Sequence, residues 1–89
     1  MLTASLRLTG VLDKGAEVAR SYYLMADFGA SGSGTVSIIP MSLGAPMPDD
    51  DYLDVKYDGE EDALKAAAEA IKSLPGNQEL EVRMVINPG

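Results

Sequence analysis

The chain has 89 residues, 14 acidic against 7 basic side chains, a formal charge of −7, and neither cysteine nor histidine. That composition excludes disulfide frameworks, thiolate nucleophiles, thiolate and imidazole metal sites, and every reaction that depends on an imidazole base. The negative field disfavours direct contact with nucleic acid or anionic membrane, no apolar run reaches the ~18 residues of a membrane helix, and no signal-peptide pattern opens the chain, so residues 1–89 are expected to form a single cytoplasmic domain.

Leu2, Ala4, Leu6 and Leu8 alternate with Thr3, Ser5, Arg7 and Thr9, the period of a strand with one buried face. Residues 10–28 fit two periods. As a strand, Leu12-Asp13-Lys14-Gly15 makes a type I turn with Gly15 in the left-handed region, and the resulting bulge sets Gly15 and Ala16 together opposite Leu12. Paired positions then sum to 28, so Leu6 meets Tyr22, Ala4 meets Leu24 and Leu2 meets Ala26. The apolar even-numbered face of the first strand continues onto the second with Arg20 as the exception, and Tyr23 and Met25 fall on the other face. As a helix, the same segment is capped by Asp13, carries Ala19, Tyr22, Tyr23 and Ala26 on its apolar side, and gives a ferredoxin-like βαββαβ order. Gly15 in the first turn and the Ser-Tyr-Tyr run favour the hairpin.

Residues 29–34 (GASGSG) read as a flexible loop, and residues 35–41 (TVSIIPM) as a third strand that Pro40 confines to an edge or an ending. Residues 42–51 are loop, and residues 52–57 (YLDVKY) alternate again as a short fourth strand. Over 58–74 the spacing predicts a helix: Asp58 with Glu61 three residues on has the spacing of a capping box, and Pro75-Gly76 ends the run. Leu64, Ala67, Ala68, Ile71 and Leu74 form its apolar stripe, with Asp62, Lys65, Glu69 and Lys72 opposite. Leu80, Val82, Met84 and Ile86 then alternate with Glu79, Glu81, Arg83 and Val85 in a last strand, expected in the same sheet as the first. The fold class is α+β, an antiparallel sheet of four or five strands with one helix on one face, in the order βββ(β)αβ. That order resembles, in topology alone, the first half of a ribonuclease-H-like domain; Thr9 and Gly10 stand where such a domain ends its first strand on a carboxylate, so no site is carried over.

The glycine loop lacks the Gly-x-Gly-x-x-Gly order, the Walker lysine and a following helix, and nothing in the chain is spaced to activate Ser31 or Ser33. Asp49, Asp50, Asp51, Asp54, Asp58, Glu60, Glu61 and Asp62 crowd eight acids into fourteen residues, opposed only by Lys56. The calcium-loop pattern fails in this stretch, because Lys56 and Lys65 occupy positions that need acids when the loop starts at Asp54. The helix dipole accounts for Asp58, Glu60, Glu61 and Asp62. That leaves Asp49, Asp50, Asp51 and Asp54 as a solvated loop or as a surface for a basic partner.

Tyr22, Tyr23, Tyr52, Tyr57 and Phe28 could line a stacking wall. If one helix covers one sheet face, however, the other face, with Tyr23 and Met25, and the open sheet edges need water, a partner or another copy of the chain, and self-association is the economical answer. The expectation is a non-enzymatic binding or assembly protein, a homodimer acting through its sheet, with no metal and no cofactor. The alternative is an acidic inhibitor or nucleic-acid mimic holding a basic protein through residues 49–62.

Overall fold

A computed structural model describes residues 1–30, 33–48 and 52–87. Alternating apolar and polar residues make β1 (Leu2–Val11) and β2 (Glu17–Phe28), which are joined by a tight turn at Asp13–Gly15. Their register places Leu2 opposite Ala26, Leu6 opposite Tyr22 and Val11 opposite Glu17, as a sum of 28 requires. This overturns the helical reading of the second segment, and with it the ferredoxin-like order. The local helix signal at Asp13 loses to a row of apolar residues that continues the buried face of β1 and to two adjacent tyrosines suited to a pleated surface.

The turn differs from the expected one in its backbone. The Gly15 amide donates to the Leu12 carbonyl at 3.1 Å and the Leu12 amide to the Ala16 carbonyl at 2.9 Å. Lys14 as well as Gly15 is left-handed, with φ of 72° and 75°, so the turn is not type I.

β3 (Ser33–Pro40) pairs with β2, and β4 (Tyr52–Lys56) pairs with β3. Pro40 ends its strand: β4 reaches only from Ser33 to Ser37, so no neighbour on that side asks for the missing amide. The expected glycine loop is shorter than its composition suggests, because Ser33 and Gly34 already belong to β3. Gly34 crosses so close to β2 that a Cβ would lie 2.8 Å from the Phe28 Cα and closer still to the Asp27 carbonyl, which is why the strand can carry only glycine here.

α1 (Glu60–Lys72) then crosses the sheet and delivers β5 (Glu81–Asn87) beside β1, antiparallel to it. The complete order is β4-β3-β2-β1-β5. The fold is thus the expected α+β arrangement with all five strands present.

The helix starts at Glu60 with Gly59 as its cap, and no side chain caps it, so the Asp58–Glu61 capping box does not form. Glu60, Glu61 and Asp62 in the first turn meet the positive end of the dipole instead. Its buried side is Ala63, Leu64, Ala67, Ala68 and Ile71; Leu74 lies beyond the helix end and is half-buried. The alanines let the helix sit close to a floor formed by Leu6, Leu8, Tyr22, Leu24 and Ile38, all buried. The loop after β3 closes the rest of this face. The Ser42 hydroxyl accepts from the Ser21 amide at 2.8 Å, the Tyr22 hydroxyl donates to the Pro46 carbonyl at 2.8 Å, and Ala45 and Met47 pack on the core.

Arg20, the exception on the apolar face, lies at its rim and staples the helix-to-strand connection. Its guanidinium donates to the Gly76 carbonyl at 3.1 Å and to the Asn77 Oδ1. Asn77 is completely buried, and its Nδ2 donates to the Ile71 carbonyl at 2.9 Å. From the helix side the Lys72 ammonium donates to the carbonyls of Asn77 and Gln78, at 3.3 and 2.7 Å, and to that of Leu80. Two cations on opposite sides therefore hold the connection that positions β5. Among the described residues no helix is long and apolar enough to cross a membrane.

Candidate functional site

Because side chains alternate across a sheet, placing the helix on one face commits the other set of residues to the opposite face. That face carries the odd-numbered residues of β1, β2, β3 and β5 and the even-numbered residues of β4, and among the described residues no element covers it. Register sets them in rows. One row runs Val85, Ser5, Tyr23, Ile39 from β5 to β3. The next runs Asn87, Thr3, Met25, Ser37, Tyr52 from edge to edge. Tyr23 and Met25 are half-buried by their neighbours, whereas Val85, Tyr52 and Ile39 remain 57%, 52% and 45% exposed. Met41, 64% exposed, extends the apolar strip past the end of β3, where its amide donates to the Ser21 carbonyl at 2.7 Å.

Charge sits at the corners of the face. Arg7 and Arg83 are directly opposed across β1 and β5, a like-charge pairing that costs stability in an isolated sheet. Both are exposed, and neither has an ion-pair or hydrogen-bond partner among the described residues. With Thr9 and Glu81 they line a shallow depression of about 230 Å³. Near the diagonally opposite corner Asp27, Thr35 and Asp54 share a row, and Ser33 pairs with Lys56 one step beyond. Asp54 and Lys56, with Ser33, Gly34 and Thr35, line a second depression, of about 520 Å³.

Of the residues singled out in the sequence, Tyr23, Met25, Tyr52 and Asp54 share this face. Asp49, Asp50, Asp51 and Ser31 lie outside the described residues. Glu60, Glu61 and Asp62 do not join Asp54, because they belong to the helix on the other side. Glu60 pairs with the Met1 amino group at 3.5 Å and Glu61 with Lys65 at 3.3 Å. No three acidic side chains converge as metal ligands among the described residues. The aromatic wall does not form: Tyr22 is in the core, Phe28 packs beside it, Tyr57 follows the end of β4, and only Tyr23 and Tyr52 share the open face.

The sequence reading missed Arg7, Arg83, Ile39 and Val85 as members of the site. Their signal was present in parity: once the first and last strands pair, the residues alternating with the core residues must form one surface. Comparison with protein-family models, with curated proteins and with solved structures finds no match for this chain.

Proposed function

We propose that this protein is a non-enzymatic assembly module that self-associates through its open sheet face. The observation that carries the reading is the apolar strip on that face, with Tyr23 and Met25 at its centre and Val85, Ile39 and Tyr52 exposed around them. Serine and threonine hydroxyls interleave with it, giving the mixed character of an interface rather than of a solvated sheet. Five strands about 4.8 Å apart, over about four rows of side chains, present roughly 600 Å² per copy. Two such faces would bury about 1,200 Å², the lower end of the range for specific protein pairs.

The test is sedimentation equilibrium from micromolar to millimolar protein, at low salt and at about 0.5 M salt. The expected result is a mass that rises with concentration in both buffers, because an apolar centre is not screened. Tyr23→Asp should abolish the rise while leaving the far-ultraviolet circular dichroism unchanged. A wild-type chain that stays monomeric throughout the range would overturn the reading.

A further inference from the structure

We infer that the open face is self-complementary in charge, so that the arginine corner of one copy receives the Asp54 corner of a second across an in-plane two-fold axis beside Tyr23 and Met25. The inference rests on the self-association just proposed and names its register.

The two edge strands carry the pattern. On the open face β5 reads Glu81, Arg83, Val85 from its outer end inward, and β4 reads Lys56, Asp54, Tyr52. Arg83, the middle position of one edge, is answered by the opposite charge of Asp54, the middle position of the other. Arg7 doubles the positive charge of Arg83 in the same row. The register also locates the axis. The arginine row lies one row beyond that of Tyr23, and the row of Asp54 lies one row beyond that of Met25 in the opposite direction. The strands span the same diagonal, with β5 and β1 at one end, β4 at the other and β2 near the middle. The midpoint of the diagonal therefore falls beside the Tyr23–Met25 pair. A half-turn about an axis through that point and perpendicular to the diagonal exchanges the two corners and stacks the apolar centre on itself.

Three features of the monomer support this arrangement. The Arg7–Arg83 juxtaposition is unfavourable in the monomer and is relieved by a carboxylate arriving from outside. Each charged corner is a shallow depression rather than a flat patch, so a side chain from the other copy can seat in it. Two interfaces of opposite sign related by one two-fold close on themselves, so the assembly ends at the dimer. The charged corners set register and exclude wrong pairings, while the apolar centre supplies the affinity.

The experiment is a charge-reversal exchange at about 50 mM salt, read by light scattering and by native mass spectrometry of mixtures. The double variant Arg7→Glu, Arg83→Glu and the single variant Asp54→Lys are each expected to weaken self-association at least tenfold. Mixed in equal amounts, they should form a one-to-one heterodimer of near wild-type affinity, because one corner contact returns with its native polarity and the other with reversed polarity. All three positions are exposed, and an unchanged circular dichroism spectrum confirms folding of each variant. If both variants self-associate like the wild type while Tyr23→Asp does not, the register is wrong and the sheet-face reading stands. If both are weakened but the mixture gives no heterodimer, the corners do not meet and the inference fails. A monomeric wild type removes the inference together with the reading beneath it.

Discussion

Replacing Asn77 by alanine tests the claim that a polar staple, rather than apolar contact alone, positions the last strand. Asn77 is fully buried and makes two side-chain bonds, one donated to the Ile71 carbonyl at 2.9 Å and one accepted from the Arg20 guanidinium. A neutral hydrogen bond contributes about 1 kcal/mol and a charge-assisted one about 1.5 to 3 kcal/mol. The second figure is reduced here because Arg20 is only half-buried and keeps the Gly76 carbonyl after the substitution. The expected loss is therefore about 2 to 3 kcal/mol, a large share of the roughly 4 to 13 kcal/mol typical of a domain this size. Urea unfolding followed by circular dichroism measures it directly, and the melting temperature should fall by about 10 to 20 °C. Combining Asn77→Ala with Arg20→Met completes a cycle whose coupling energy should be about 1 to 2 kcal/mol. A loss below about 1 kcal/mol, or single effects that simply add, would refute the staple and leave the connection held by Lys72 and by the packing of Leu74 and Leu80.

Two further substitutions probe separate levels of the fold. Ile71→Ala should cost about 2 to 4 kcal/mol in the same urea assay because Ile71 is completely buried against the sheet, whereas Glu69→Ala on the exposed side should change stability by less than about 0.5 kcal/mol. Lys14→Gly should raise stability by up to about 1 kcal/mol, since a left-handed φ of 72° at an exposed lysine is relieved by glycine without loss of packing; a lower urea midpoint would show that the lysine side chain contributes more than its backbone costs.

The hairpin register was legible in the sequence because one bulge satisfies the parity of ten consecutive residue pairs at once, whereas a turn one residue shorter or longer would put Leu6 and Leu8 on the face opposite Tyr22 and Leu24. The helix phase was legible for the same reason, with Leu64, Ala67, Ala68 and Ile71 buried as their spacing required. What remained hidden depended on partners remote in the chain or on backbone detail. Arg20 looked like a misplaced charge because its acceptors are 56 and 57 residues away. Lys72 sat on the nominally polar stripe, yet it spends its three protons on the connection beyond the helix. The capping-box spacing was present at Asp58 and Glu61, but Gly59 takes the extended conformation at the helix start and moves the cap one residue on. The candidate site was half legible: Tyr23 and Met25 followed from the hairpin, whereas Arg7 and Arg83 became neighbours only when the first and last strands were set in register.

The strand order also imposes a timetable. β1 to β4 form a meander in which each strand pairs with the one just made, so these contacts can form early and locally. The outer edge of β1 has no such neighbour; its partner is β5, which lies more than seventy residues later in the chain. During synthesis that edge, with Leu2, Leu6 and Leu8 beside it, stays open until the helix and the final strand have left the ribosome. The integrity of this fold therefore depends on β5, since any truncation that removes it releases a long unpaired edge next to an otherwise finished sheet.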